Sequence, residues 1–426
     1  MGRLKKEPRH YESLLERNLF SAQKHELALH FELSEQSWIA EAVTAKFNRL
    51  LDDYEGSHGI PRAKPCHLIL KYCGEIVQIP LLTEKWASLI ANDRKFSSHR
   101  QRVVDHALTI FKSINPAATM ADVNYHLNRR ALIPRLAEGE CKRTRMPTSA
   151  KLINPNSVIV QPLSKVSDKE VTVPASVQST LMTFLTDDVG IGPSTSMSMI
   201  RFLAARREEY CPPLSQLKPG QIVWLALSVS KHKPPSVQFA RRIVLPVVLT
   251  IFTEEEARKP IHSLEELNRL NMEQCARVLV EAYLQDALLP QVELSLLFLR
   301  SYSVLANLVK SYMNIHNVIL PTPGTILDSG TAMTHKDIIV ADSVSGLLTT
   351  EIARKTYHTP ESVDAYLKVF HSVLILYLYD MPVPLMARVT GRGQSLIEEY
   401  IRLVKEHFPN RDSIKAYLKK HGLKIG

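Results

Sequence analysis

The stretch EIARKTYHTPESVDAYLKVF (351–370) aligns without a gap on LMARVTGRGQSLIEEYIRLV (385–404). In each, a small residue (Ala353 or Ala387) is followed four positions later by Tyr357 or Gly391, ten later by Val363 or Ile397, and thirteen later by Tyr366 or Tyr400. That spacing is the rhythm of a helix-turn-helix. The alanine lets two helices cross closely, the next marked residue takes a tight turn, and two apolar positions of the second helix return to the first. A weaker third copy lies upstream in ELSLLFLRSYSVLANLVKSY (293–312), with Ser295, Leu299, Leu305 and Leu308 in the same slots. Helical pairs with this spacing occur in many all-α proteins, so a bundle whose repeats only pack on one another is the plain alternative. Three copies in register within about 110 residues favour a repeated unit with a task.

Around the repeats, the chain reads as mainly α with a minor β component. Several domains are expected: tandem helix-turn-helix (trihelical) units at the C-terminus and a central domain containing a β-hairpin. Thr334 caps a helix over HKDIIVADSVSG that ends at Gly346, which completes a trihelical unit for the Tyr357 copy. The Pro/Gly-rich segment VILPTPGTILDSG (318–330) stands where a β-wing would follow a recognition helix. The last copy ends near Phe408-Pro409, and a basic amphipathic helix, DSIKAYLKKHGLK, follows.

Further upstream, LKPGQIVWLAL and IVLPVVLTIFTEEE are near-continuous apolar runs joined by the basic loop KHKPPSVQFARR, the pattern of a hairpin buried on at least one face. Glu254 to Glu256 begin the next helix, where acids favour the positive end of the dipole. Residues 180–212 read as helical, broken at DDVGIGPS, with Ser194 opening the second part. Residues 10–55 read as two amphipathic helices, the second capped by Ser34, and CHLILKYCGEIVQIPL as a hairpin about Cys73-Gly74. Helices follow over about 84–91 and 100–114, and another after Asn115-Pro116 is capped by Thr119. Arg129, Arg130, Arg135, Lys142, Arg143, Arg145 and Lys151 form a basic arm, read either as a solvated linker edge or as phosphate contacts. The resulting division is 1–115 N-terminal helices with a short hairpin, 116–179 basic arm and linker, 180–262 central α+β segment, 263–330 degenerate helix-turn-helix with a wing-like segment, and 331–426 tandem helix-turn-helix.

Composition sets the outer limits. The 426 residues are 45% hydrophobic and 23% charged, values of a folded soluble protein of two to four domains. A net charge of +10 favours polyanionic partners in general terms. Five scattered cysteines (Cys66, Cys73, Cys141, Cys211, Cys275) form no close pair, which argues for reduced thiols and a cytoplasmic location. The basic N-terminus lacks the apolar core of a secretory signal, and VLILYLYDMPVPL is too short and too broken to span a membrane.

LKPGQIVWLAL, LPVVLTIFT, PTPGTILDSGTAMTHK and LLTTEIARKTYHTPESVDAYLKVF, in that order, resemble a domain-of-unknown-function family of bacterial and archaeal helix-turn-helix proteins. The resemblance covers roughly residues 180–404. It implies DNA binding through the helix-turn-helix units and a link to regulation or mobile elements, and no established enzymatic activity.

In a helix-turn-helix, the N-terminal part of the second helix meets base edges, while the turn and first helix meet phosphates. That rule selects Arg392, Gln394 and Ser395 in the last copy, with Arg388 and Arg402 as basic neighbours. In the copy before it, the rule selects His358, Thr359 and Ser362, with Arg354, Lys355 and Lys368 toward phosphate. Acidic Glu361, Asp364, Glu398 and Glu399 weigh against tight binding. Phosphate-loop, Gly-x-Ser-x-Gly and metal-ligand motifs are absent from the sequence, and Gly190-Ile191-Gly192 lacks the third glycine of a dinucleotide fingerprint. No cofactor, no metal and no catalysis are expected. The expected function is sequence-specific binding of double-stranded DNA as a transcriptional regulator or mobile-element accessory factor. A homodimer and a protein partner stay open, with no membrane partner expected. The alternatives are a non-catalytic scaffold for protein contacts and, behind it, a transposase- or nuclease-like enzyme.

Overall fold

A computed structural model describes residues 14–15, 17–93, 96–128, 172–229, 244–316, 318–326 and 334–423. The basic arm and the loop joining the central strands lie outside them. The chain divides into two compact units, 1–312 and 313–426.

The first unit opens with α1 (Leu19–His30) and α2 (Ser37–Ser57). Asn18 caps α1 by accepting from the Ser21 amide. The second helix starts after Gln36 rather than at the expected cap Ser34, because residues 34–36 form a turn in which the Gln36 amide donates to the Leu33 carbonyl. The hairpin at Cys73-Gly74 is present: β1 (His67–Tyr72) pairs antiparallel with β2 (Glu75–Pro80), and both turn residues have positive φ. Three helices follow, α3 (Glu84–Asp93), α4 (Phe96–Ile114) and α5 (Met120–Asn128), the last capped by Thr119 as expected. Then come α6 (Ala175–Thr183), a π-helical turn over 184–188, and α7 (Pro193–Tyr210), which Pro193 rather than Ser194 opens.

The central hairpin forms between β3 (Gln221–Ser228) and β4 (Val244–Thr250). It does not stand as a domain apart from the N-terminal region, as the sequence division had it. β1 also pairs with β3, giving the order β2-β1-β3-β4, with the short strand β5 (Ala287–Leu288) completing the sheet on β3. Long-range pairing of this kind leaves no local trace in sequence. Strand β3 is covered on both faces, which explains its unbroken apolar run. After α8 (Glu254–Arg258), closed by a Thr253 capping box, α9 (Leu264–Leu284) protects the outer edge of β4. Gln285 receives the Val248 amide at 3.0 Å and donates to the Val248 carbonyl at 2.9 Å, standing in for a neighbouring strand. The unit continues through β5 (Ala287–Leu288), α10 (Gln291–Phe298) and α11 (Tyr302–His316), and the boundary between units falls within α11.

In the second unit, α12 (Pro323–Ile326) replaces the expected wing: the described part of that segment is a helical turn and holds no strand. Two helical heads follow, the first of three helices and the second of four. α13 (Thr334–Ser345), α14 (Thr349–Thr356) and the first half of α15 (Pro360–Leu378) enclose Ile339, Ile352, Ala353, Val363 and Leu367. The second half of α15 packs with α16 (Val383–Thr390), α17 (Gln394–His407) and α18 (Arg411–Lys420) around Phe370, Leu374, Met386, Ile397, Tyr400 and Leu418. The 19-residue α15, about 28 Å long, thus belongs to both heads. The fold is mainly α with a minor antiparallel sheet.

Candidate nucleic-acid interface

The three repeat copies share one turn. Leu299, Tyr357 and Gly391 are all left-handed, with φ of 49°, 57° and 65°. Each donates its amide to the small residue four positions back, Ser295, Ala353 or Ala387. The next residue shares that acceptor: Arg300 donates to Ser295 at 3.3 Å, His358 to Ala353 at 3.0 Å and Arg392 to Ala387 at 3.0 Å. The small slot is needed because the second helix passes over it, and the left-handed slot ends the first helix by closing its last carbonyls. In the first copy, the two helices meet at 106°.

The copies differ in what they leave exposed. In the first, α10 is buried from Val292 to Phe298. Glu293 on that helix accepts from Arg17 at 2.7 Å and from the Trp224 indole at 2.7 Å, and both ionic side chains are 1% exposed. This copy packs the first unit.

In the middle copy, Thr359 caps α15 by accepting from the Ser362 amide at 3.2 Å, and the two hydroxyls lie 3.1 Å apart. His358 is half-buried, its Nδ1 2.6 Å from the Thr356 carbonyl. Lys355 is half-buried and spends its charge on Asp342 at 2.7 Å. Arg354 and Lys368 are exposed. The start of α15 is already supplied with negative charge: backbone N–H and the Thr359 hydroxyl hold the Glu361 carboxyl below its usual range, and Asp364 is exposed beside it.

The last copy is more open. Arg388, Arg392, Gln394 and Ser395 are all exposed. α17 begins after Gly393 without a side-chain cap, and its first turn holds no acid. Its leading amides therefore keep the positive end of the helix available to an anion. Of the two acids that weighed against this helix, Glu399 is 6% exposed and burial raises its pKa, which leaves Glu398 as the outward one. Arg402 is exposed but engaged, 2.7 Å from Asp337 and 2.8 Å from Glu406.

The sequence reading missed the partners Asp337 and Asp342. Both sit on α13, and no local pattern ties them to basic residues 13 and 65 positions away. It also passed over Leu385 and Val389, exposed by 45% and 60% on α16 beside Arg388. Among the described residues, no group of His, Cys, Asp and Glu could hold a metal ion, and no single helix is long and apolar enough to cross a membrane.

Residues 195–403 match the model of a family described as Protein of unknown function (DUF1670). The match runs from α7 through all three turns to the last part of α17. No curated protein and no solved structure matches the chain.

Proposed function

We propose that this DUF1670-domain protein binds double-stranded DNA through its C-terminal unit, as a cytoplasmic regulator or mobile-element accessory factor. The observation that carries the reading is the uncapped start of α17, free of acid in its first turn and flanked by exposed Arg388 and Arg392. In that mode the α17 amides and Arg388 neutralise phosphate, while Arg392, Gln394 and Ser395 meet base edges. The middle copy contributes Arg354 and Lys368 to phosphate, and its capped, acidic helix start makes it the weaker reader. Random-oligonucleotide selection with the purified chain tests this. Enrichment of a duplex motif that Arg392→Ala and Gln394→Ala blur supports it, and recovery of no motif counts against it.

A second reading rests on Leu385 and Val389. An outward face of α16 with two exposed aliphatic side chains suits a protein partner as well as a sugar-phosphate backbone. On that reading, binding survives high salt and is lost in Leu385→Ser, whereas phosphate-driven binding weakens steeply as salt rises.

A further inference from the structure

A cleft of about 520 Å³ opens in the first unit between α4, α5 and the turn that precedes α11. Arg100, Asn124, Arg300 and Ser301 give it polar walls, and Val104 and Leu299 an apolar one. No Asp or Glu lines it, among the described residues.

Its charge is unbalanced. Arg300 is 6% exposed, yet its guanidinium meets only neutral amides, Asn271 at 2.7 Å and Asn268 at 2.8 Å, and its buried Nε has no acceptor. Arg100, half-buried, has no hydrogen-bond or ion-pair partner among the described residues. Burial pushes both guanidinium groups below their usual range, and Arg100 pushes Arg300 further; no carboxylate offsets either. The third contribution is a helix end. The Ser301 carbonyl receives the Val304 and Leu305 amides at 3.1 and 3.2 Å, which puts Ser301 at the head of the 15-residue α11, and the first turn of that helix has no acid. Buried cations are ordinarily paired, because desolvation makes a lone one costly. Two guanidinium groups and a helix N-terminus around one roomy cleft leave the counter-charge to a ligand.

We propose that this cleft binds a small organic phosphate monoester, its phosphate held by Arg100, Arg300 and the first amides of α11 and its body laid on Val104 and Leu299. Arg300 occupies the repeat slot held by His358 and Arg392 in the other copies. The copy that packs the first unit has thereby turned its basic residue inward, toward a cavity.

Calorimetric titration of the full chain at constant ionic strength, with inorganic phosphate, AMP, glucose 6-phosphate and citrate as separate probes, tests the assignment. Saturable binding of AMP or glucose 6-phosphate at least tenfold tighter than inorganic phosphate is expected. Arg100→Gln should weaken it tenfold or more, and Arg100→Lys should recover part of the loss. Arg100 sits in no structural network, so both variants should melt like the parent, whereas Arg300 variants risk the fold. Absence of saturable binding by either organic phosphate, preference for citrate, or affinity unchanged in Arg100→Gln would each overturn the proposal. None of these readouts uses duplex DNA, so the outcome is independent of the C-terminal reading.

Discussion

The backbone amide of Arg392 donates to the carbonyl of Ala387 at 3.0 Å across a turn that only a left-handed residue can close. Gly391 supplies that residue at φ 65°, and a Cβ placed there meets nothing within 4 Å. Gly391→Ala should therefore cost only backbone strain, about 1 kcal/mol, read as a small drop in the urea midpoint. Gly220, at φ 90°, differs because a Cβ there runs into the carbonyl and ring of Phe252. Gly220→Ala should destabilise the chain several times more. Equal effects would mean that these turns are not the ones described.

Burial makes the Arg17–Glu293 pair a sensitive point of the first unit. Glu293→Gln removes the buried carboxylate that Arg17 and the Trp224 indole donate to, and roughly 3–5 kcal/mol of stability should go with it. Denaturant unfolding should report this, and a loss under 1 kcal/mol would show the pair to be solvated.

Arg354 and Lys355 are neighbours with different tasks. Lys355 is tied to Asp342, so Lys355→Met should cost up to about 1 kcal/mol of stability and leave duplex affinity nearly unchanged. Arg354 is exposed, and Arg354→Ala should lower affinity with no loss of stability. Fluorescence anisotropy beside a melting curve separates the two. The reverse pattern would reassign the phosphate contact.

His371 gives the second unit an acid-sensitive element. Burial, with the His421 ring 5.3 Å away, lowers its pKa to about 4 from an ordinary 6.5. Between those values the unfolded chain takes up a proton that the folded chain refuses, so stability falls as pH drops from 6.5 toward 4 and is unaffected above that window. Glu399, whose carboxyl burial raises, acts in the opposite direction. The diagnostic is therefore the difference between the parent and His371→Phe across pH 7.5 to 4. Parallel curves would contradict the assignment, as would an imidazole resonance titrating near 6.5.

The repeat was the most legible part of the chain, because its slots are local. Ser295, Ala353 and Ala387 each cap a turn through bonds that span four or five residues, so a spacing rule finds them. Leu299, apolar and bulky, takes the same left-handed conformation in that slot as the other two. The hairpin at Cys73-Gly74, the helix start at Glu254 and the Thr119 cap were readable for the same reason. What lay beyond reading was long-range: the pairing of β1 with β3, the Gln285 side chain that closes the β4 edge, and the Asp342 and Asp337 partners that occupy Lys355 and Arg402. The burial of Glu399, about 100° around α17 from exposed Glu398, follows from helical phase. It needed the packing of α17 to be known before the two acids could be told apart.

The most direct measurement is the salt dependence of duplex affinity for the parent chain and for the triple variant Arg354→Ala, Lys368→Ala, Arg388→Ala. If these three side chains meet phosphate, the parent's log–log slope should be about −3 or steeper, and the triple variant should bind at least tenfold more weakly with a slope reduced by roughly 3. A parent that does not bind duplex at low salt, or a triple variant with the parent's affinity and slope, would contradict the account.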